Sequence, residues 1–399
     1  MKNLKAIRVL IAISLVITIS PNFARAQAPE KFSFTGSGFG HGVGMSQIGA
    51  RARALAGDSA TAILNYYYKD VVVTPVVDSQ TIRVNIGKSL KEFSVGGTNA
   101  STVVQIFEGD LPLNSPAVPL LSVGSKQRIN FILEDKVIST GTLKSKALTI
   151  RWFGPSPTIS VTQPGSTDRY RYGQIQVKVV KGLMEVTTSL SLHDEYLWGI
   201  SEVPSTWPGA VLEAQAIAAR SYALSKISTI KAACDCHVYS HIGDQNFVGF
   251  SKEAEPKIGK LWKAAVTRTN VDTFTSLAIL SKGKPIQAYY SSSSGGATQT
   301  TLDAWGTATS YTQSVPDPAS LDPKSNPRFA KWNASADQAL VAAAFLLPDI
   351  VTLEIISRNP AGAVTYIKGT SSNGSTKLLR GDTFRSRVKI PSPYFSLVN

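Results

Sequence analysis

One acidic residue, Glu202, stands apart from the other carboxylates by its surroundings. It lies in the segment GISEVPSTWP, between an apolar strand-like run and the longest helical pattern of the chain. A carboxyl group acts as a general acid near neutral pH only if burial raises its pKa, and Tyr196, Trp198 or Trp207 could supply that burial. A helix start would lower the pKa instead, so a simple helix-start charge is the alternative interpretation.

A glycine-rich loop near the N-terminus is the second candidate site. Glycine occupies every second position from Gly36 to Gly44 in GSGFGHGVGMSQIGA, and His41 sits in the middle of that run. Glycine permits backbone angles and close approaches that other residues do not. The spacing fits neither a Walker loop nor the dinucleotide fingerprint, and no lysine follows it. The loop is therefore not expected to bind phosphate.

The two cysteines of the chain could form a metal site. Cys234 and Cys236 occur as CDCH, with His237 next to them and His241 four residues further on. Tetrahedral zinc takes thiolate and imidazole ligands, although this spacing is shorter than usual. Zinc is thus the one cofactor that the residues suggest, against a free or transiently oxidised dithiol. A disulfide between residues two apart is expected to be strained.

Two further segments carry polar side chains of interest. The run SSSS (Ser291–Ser294) could hold a nucleophile, but the chain has no GxSxG elbow, and a strand ending in a polar turn is the alternative. The helix after Glu202 is rich in alanine and carries Gln215 and Arg220. A buried arginine needs an anionic partner, and Glu213 or Glu202 are the candidates; the side chain could also face a cleft or solvent.

The N-terminus and the charge balance predict an exported protein with an anionic partner. Residues 1–28 begin with the positive residues Lys2, Lys5 and Arg8, followed by the apolar run Val9–Ser20 and small-residue cleavage sites, as in a secretory signal; a retained anchor is the alternative. The net charge is +14, and the chain stays basic without this segment. A secreted protein of this charge suits a cell-wall polymer or membrane headgroups, whereas nucleic acid is not expected. No later segment is long and apolar enough to span a membrane.

The pattern along the chain predicts an α+β fold, in which a small helical catalytic core packs on antiparallel sheets and carries a β-rich inserted subdomain. Residues 29–70 contain the glycine-rich loop and two helices, and Asp58 or Ser59 is expected to cap the second helix. Short β-branched runs fill residues 71–180. Residues 185–318 form the core, whose long helix is expected to start at Ser205 or Thr206 as cap. Residues 319–399 form a C-terminal segment containing short strands.

Three blocks of this sequence match a known pattern. They are GHGVGMSQIGA (Gly40–Ala50), SEVPSTWPGAVLEAQAIAARSYAL (Ser201–Leu224) and AYYSSSSGGATQTTLDAWG (Ala288–Gly306). Together they closely resemble the stage II sporulation protein D family, which also includes amidase enhancers. The resemblance covers roughly residues 32–70 and 185–318, and the β-rich stretch and the last segment match it weakly or not at all.

The resemblance implies a reaction for Glu202. Well-studied members of the family are lytic transglycosylases that act on peptidoglycan strands stripped of stem peptides, and their glutamate lies in the motif that Glu202-Val203-Pro204 matches here. That glutamate protonates the glycosidic oxygen and then, as carboxylate, takes the proton of the C6 hydroxyl. The C6 oxygen closes on C1 and gives a 1,6-anhydro end. One carboxylate suffices, unlike in the two-acid glycosidases.

The resemblance also implies which residues line the cleft and who the partners are. The expected substrate-binding residues are His41, Ser46, Gln47, Gln215, Arg220, Gln245, Tyr289, Ser292 and Ser293. The glycine-rich block precedes the glutamate here, although it usually follows it in the family, so the two are expected to rebuild one site in permuted order. The glycines would then pack against the AQAIAAR helix or a glycan strand. The rival function is a non-catalytic wall-binding enhancer of an amidase, with that amidase as partner.

Overall fold

A computed structural model describes residues 28–124 and 127–398. The predicted signal segment lies outside these residues except for Ala28. Among the described residues no helix has the length and apolarity needed to cross a membrane. Helices and several antiparallel sheets make up the fold, so the predicted α+β class is confirmed.

The chain begins with strand β1 (Lys31–Gly36), the glycine-rich loop, strand β2 (Met45–Ser46) and helices α1 (Gln47–Leu55) and α2 (Ala60–Tyr67). Both helices are capped by a serine. Ser46 Oγ accepts from the backbone N–H of Gly49 at 3.1 Å, and Ser59 Oγ accepts from that of Ala62 at 3.2 Å. A side-chain acceptor at this position satisfies one of the free N–H groups of the first turn, so the two predicted helices form where the caps place them.

The β-rich region follows. Its strands are β3 (Val72–Val77), β4 (Thr81–Leu90), β5 (Glu92–Gly97), β6 (Val103–Glu108), β7 (Leu121–Val123), β8 (Arg128–Glu134), β9 (Val137–Thr140), β10 (Leu143–Ser145), β11 (Ala147–Phe153), β12 (Ile159–Gln163), β13 (Ser166–Tyr170), β14 (Gln174–Val180) and β15 (Leu183–Ser191).

The core elements come next. They are a π-helical turn (Leu192–Tyr196), α3 (Gly209–Lys226), β16 (Val238–Tyr239), α4 (Phe250–Glu253), α5 (Gly259–Arg268), β17 (Thr275–Ser281), β18 (Lys284–Pro285), β19 (Tyr290–Ser291), α6 (Thr301–Trp305) and a 3₁₀ turn (Pro318–Leu321). The expected caps of the long helix are wrong, because Pro208 holds the N-cap position and no side chain caps this helix.

The last part of the chain mixes strands with two helices that the sequence did not predict. Its elements are β20 (Trp332–Asp337), α7 (Gln338–Phe345), β21 (Thr352–Arg358), β22 (Val364–Thr370), β23 (Thr376–Arg380), α8 (Gly381–Val388) and β24 (Phe395–Val398). Strand β1 lies between β20 and β24, so the N-terminal strand belongs to this part of the fold. We call residues 332–398 together with β1 the C-terminal unit.

Two sheets form the inserted subdomain, and they are antiparallel except where β16 of the core pairs in parallel with β4. A seven-stranded sheet has the order β16-β4-β15-β14-β11-β6-β7, and a six-stranded sheet has the order β10-β9-β8-β5-β12-β13. Their apolar faces share one core, in which Phe93 and Phe131 stack with ring centroids 4.5 Å apart. The unit runs from β4 to β15, since β3 pairs with β17 of the core instead.

Helix α3 is central to the core and is buried on nearly all sides. One face, with Leu212, Ala216 and Ala223, joins the apolar core that includes the insertion. The opposite face, with Ala214 and Ile217, packs with α1, α2 and β17. A helix that is apolar all round is typical of a position between two layers, which explains why its small residues show no single apolar stripe.

Candidate active site

Glu202 lies in the connection between the π-helical turn and α3, and one of its two oxygens is fully engaged. Oε1 accepts a hydrogen bond from the backbone N–H of Asn246 at 2.6 Å and one from the hydroxyl of Tyr290 at 3.2 Å. Oε2 has no hydrogen-bond partner among the described residues. The carboxyl group therefore keeps one oxygen fixed by the protein and the other available to a ligand.

The environment raises the pKa of Glu202. Burial is the largest cause, and the hydrogen bonds from Asn246 and Tyr290 oppose it by stabilising the charged form. The first turn of α3 contains no acidic residue, so the interpretation of Glu202 as a helix-start charge is wrong. A raised pKa is the property that a carboxyl group needs to donate a proton near neutral pH.

A chain of three polar side chains orients the Tyr290 hydroxyl. Tyr196 donates its hydroxyl proton to Gln245 Oε1 at 2.7 Å, and Gln245 Nε2 donates to the Tyr290 oxygen at 2.9 Å. Because the Tyr290 oxygen already accepts from the amide, its own proton is free to point at Glu202 Oε1. Burial raises the pKa of Tyr290 far above its ordinary value, so the hydroxyl stays protonated and remains a donor.

The glycine-rich loop packs against the third sequence block. Phe39 and Ser293 exchange backbone hydrogen bonds of 3.0 and 3.2 Å, Met45 N–H donates to the Tyr289 carbonyl at 3.0 Å, and β2 pairs in parallel with β19. The expectation that the glycines pack against the AQAIAAR helix is wrong, because their nearest neighbours are residues 289–294, Trp332 and Tyr394.

Two glycines show why this loop excludes other residues. Gly40 has φ +105°, and a Cβ there would lie 2.7 Å from Ser291 Cβ; Gly42 has φ +72°, and a Cβ there would lie 2.5 Å from the Tyr394 hydroxyl. Both positions thus combine a backbone angle that L-residues rarely adopt with a contact that leaves no space for a side chain. The spacing of the glycines reflects packing of the loop inside the protein.

His41 is held at the site by the same loop. Its Nδ1 accepts from the backbone N–H of Val43 at 2.9 Å, and its ring also hydrogen bonds to the backbone of Tyr290. Burial lowers the pKa of His41 to about 4; Asp382 opposes this shift and Arg385 adds to it. The imidazole is therefore uncharged at neutral pH. Tyr290, which contacts His41 through its backbone and Glu202 through its hydroxyl, joins the two blocks that the sequence separates.

A cleft of about 200 Å³ opens beside Tyr290. Its lining residues are His41, Tyr222, Ile242, Gly243, Asp244, Ala288, Tyr289, Tyr290 and Trp305. Of the expected substrate-binding residues, His41 and Tyr289 lie in this lining. Asp244 Oδ1 accepts from the Tyr222 hydroxyl at 2.7 Å and Oδ2 from Lys231 Nζ at 2.6 Å, so the loop that closes one side is tied to α3.

Three of the expected substrate-binding residues are buried where α1 meets its neighbours. Ser46 Oγ caps α1 and lies 3.3 Å from Ser320 Oγ, and Gln47 Nε2 donates to Gln215 Oε1 at 3.2 Å. All three side chains are almost fully buried. The three residues are therefore not part of the cleft lining, and they join α1 to α3 and to the 3₁₀ turn.

Arg220 is also placed differently from the expectation. Its guanidinium is fully buried and forms an ion pair with Asp78, Nε to Oδ2 at 2.8 Å. Asp78 also contacts His193 Nδ1 at 2.6 Å. The partners suggested by the sequence, Glu213 and Glu202, are engaged elsewhere: Glu213 binds Arg268 at 2.6 Å. Arg220 therefore anchors α3 to the start of the insertion.

The serine run supports the glycine-rich loop. Ser292 accepts from the backbone N–H of Ile48 at 3.0 Å through its carbonyl, and Ser293 Oγ accepts from Asn326 Nδ2 at 3.2 Å. Ser291 Oγ accepts from the Gly42 N–H at 3.2 Å. No histidine hydrogen bonds to these hydroxyls among the described residues, so this run is the strand end and polar turn of the alternative interpretation.

The two cysteines form a disulfide with an S–S distance of 2.07 Å. A disulfide sulfur is not a thiolate, so this pair cannot ligate zinc in the form described here. His237 Nδ1 accepts from the backbone N–H of Arg83 at 2.8 Å, and within residues 28–124 and 127–398 no group of three potential metal ligands occurs. The zinc hypothesis finds no support in this geometry. The expectation that the cysteines are free or only transiently paired is corrected as well.

Sequence reasoning missed three residues of the site. Tyr290 and Trp305 lie in the block Ala288–Gly306 that the resemblance singled out, and an aromatic side chain next to the expected Tyr289 was the signal available. Asn246 contacts Glu202 through its backbone N–H, which no residue type encodes. Gln245, which was expected, acts through Tyr290.

Residues 182–275 match the family model SpoIID, described as Stage II sporulation protein, and this range contains Glu202, α3 and Gln245. The family is related to the bacterial cell wall. The comparisons gave no match among curated proteins and none among solved structures.

Proposed function

We propose that this chain, whose residues 182–275 match the SpoIID family model, is an exported peptidoglycan-remodelling enzyme, a lytic transglycosylase that uses Glu202. Its substrate would be a glycan strand stripped of stem peptides, cleaved between N-acetylmuramic acid and N-acetylglucosamine. Residues 1–28, which resemble a secretory signal, support export to the wall.

The unequal state of the two Glu202 oxygens carries this proposal. Oε1 already accepts two hydrogen bonds, so a proton on the carboxyl group resides on Oε2, which faces no protein donor among the described residues. Burial raises the pKa and keeps that proton available near neutral pH. Glu202 Oε2 donates it to the glycosidic oxygen as the C1–O bond breaks.

The second half of the reaction needs a base at the same place. Glu202 is then a carboxylate, and Asn246 and Tyr290 stabilise its charge through Oε1. Oε2 takes the proton of the sugar's C6 hydroxyl, whose oxygen bonds to C1 and closes the 1,6-anhydro ring. The proton lost in the first step is regained in the second, so the enzyme returns to its starting state and no water is consumed.

Mass spectrometry of the products tests the proposal. Purified protein is incubated with peptide-free glycan strands, and anhydro ends are recognised because they are lighter than hydrolytic ends by one water. We expect anhydro ends from the wild type and none from Glu202→Gln, which keeps the shape of the side chain but cannot exchange a proton. If the wild type forms no new ends, while Glu202→Gln still stimulates a purified amidase, the protein is an amidase enhancer instead.

A further inference from the structure

Trp305 belongs to the wall of the cleft, and the C-terminal unit fixes its position. The indole Nε1–H donates to Asp382 Oδ2 at 2.9 Å, and Asp382 Oδ1 accepts from Arg385 Nε at 2.9 Å. Arg380 packs against Gly306, where a Cβ would overlap with its guanidinium. These contacts lie outside residues 182–275, so a part of the chain beyond the matched family region shapes the cleft.

The rings around Trp305 leave an aromatic wall with little charge. His41 meets the indole edge to face with centroids 5.2 Å apart, and Tyr289 does so at 4.9 Å. In an edge-to-face contact, the edge of one ring covers the face of the other, and the face of the first ring stays uncovered. The aromatic wall therefore retains ring surface that a ligand can contact. His41 is uncharged at neutral pH, as its lowered pKa indicates.

The remaining lining offers no unpaired charge, among the described residues, to a charged ligand. Asp244 is the acidic residue of the lining, and both of its oxygens are engaged by Tyr222, Lys231 and a backbone N–H. The volume of about 200 Å³ is below the roughly 300–1,000 Å³ of sites for drug-sized ligands, so it suits a single ring. A neutral, ring-shaped ligand with an apolar face matches this wall, and a pyranose sugar presents such a face of C–H groups.

We propose that Trp305 is the stacking platform of a sugar subsite for one N-acetylhexosamine ring, and that Asp382 of the C-terminal unit is its positioning residue. This subsite rests on the proposed function, because it would hold a sugar of the glycan strand next to the bond that Glu202 cleaves. The C-terminal unit thereby forms part of the substrate site. It carries the glycine-rich loop through β1 and Trp305 through Asp382.

Calorimetric titration with chitotriose, a neutral trimer of N-acetylglucosamine, tests the subsite without turnover. The experiment uses full-length protein in the Glu202→Gln background. We expect Trp305→Ala to weaken binding by about tenfold or more and Trp305→Phe by less, because phenylalanine keeps a smaller ring. Asp337→Asn is the control, since Asp337 pairs with Lys31 on the surface of the same unit. Binding of Trp305→Ala at the affinity of its parent overturns the proposal.

The positioning role of Asp382 needs a signal that a general loss of stability does not produce. In protein with ¹⁵N-labelled tryptophan, the Trp305 indole N–H resonance is identified by its loss in Trp305→Phe. We expect Asp382→Asn to shift this resonance and to weaken chitotriose binding. The Asp337→Asn control should keep the unfolding temperature of its parent and show neither change. An unshifted resonance in Asp382→Asn contradicts the role.

Kinetics separate this subsite from the reaction itself. If the wild type cleaves glycan strands, Trp305→Phe should raise KM and leave kcat unchanged, since stacking holds substrate and transition state alike. An unchanged KM contradicts the subsite and leaves the role of Glu202 intact. Chitotriose binding that depends on Trp305 in a protein without cleavage activity supports the subsite and refutes the transglycosylase.

Discussion

Replacing Tyr290 by phenylalanine removes one hydroxyl group next to Glu202 and keeps the ring in the wall of the cleft. The hydroxyl donates to Glu202 Oε1 at 3.2 Å and accepts from Gln245 Nε2 at 2.9 Å. Its hydrogen bond stabilises the carboxylate and so lowers the pKa of Glu202. The substitution removes this stabilisation while burial, the larger cause, continues to raise the pKa.

The size of the effect follows from one hydrogen bond. A bond to a charged group contributes about 1.5–3 kcal/mol, and 3.2 Å is long for an O–H···O bond, so we take the lower end. About 1.4 kcal/mol corresponds to a tenfold change in proton affinity. The general acid must be protonated, so activity falls once the pH rises above the pKa of Glu202. In Tyr290→Phe this fall in activity should occur at a pH about one unit higher than in the wild type.

The assay is the pH dependence of kcat/KM for formation of anhydro ends on peptide-free glycan strands. Tyr66→Phe is the matched control, because its hydroxyl donates to the Pro316 carbonyl at 2.6 Å, away from Glu202. We expect the falling limb to shift in Tyr290→Phe and to stay in place in Tyr66→Phe. Coincident limbs in Tyr290→Phe and the wild type would refute the assignment of Tyr290 as the donor that adjusts Glu202.

Three other experiments test the site and its support. Because the pKa of Glu202 is raised, the folded state binds the proton more tightly than the unfolded state, and stability falls as the pH rises above the ordinary pKa of 4.5. Glu202→Gln should therefore unfold at a higher temperature than the wild type at neutral pH. This difference should vanish in acid. Asp78→Asn leaves the buried Arg220 without its anionic partner, so it should lower the free energy of unfolding, measured by urea titration, by about 3–5 kcal/mol. A loss below about 1 kcal/mol would show that the pair is not buried as described. Gly40 and Gly57 have similar φ angles of +105° and +100°, but only Gly40 has atoms within reach of an added Cβ. Gly40→Ala should therefore lower the free energy of unfolding by about 1–3 kcal/mol more than Gly57→Ala. Equal losses would remove the packing argument for the loop.

Local features of the sequence identified much of the fold. Ser46 and Ser59 cap helices that begin at the next residue, because capping involves groups only three residues apart. The β-branched runs of the insertion predict strands by the same short-range logic. Helices α7 and α8 lack the capping signal, since neither has a side-chain cap hydrogen bond at its N-terminus, and the sequence does not predict them.

The sequence by itself singled out Glu202, and it identified the three blocks around it through their resemblance to a family. Only the tertiary structure decided what surrounds that carboxyl group: β2 pairs with β19 across some 245 residues, which brings the His41 loop to Tyr290. The buried pair of Arg220 and Asp78, and the contact between Trp305 and Asp382, likewise join residues far apart in the chain. Periodicity and caps encode interactions within a few residues, whereas these contacts depend on how whole sheets and helices pack. The sequence therefore identified Glu202 as the candidate acid. Its burial, its hydrogen-bond donors and the aromatic wall of the cleft were visible only in the tertiary structure.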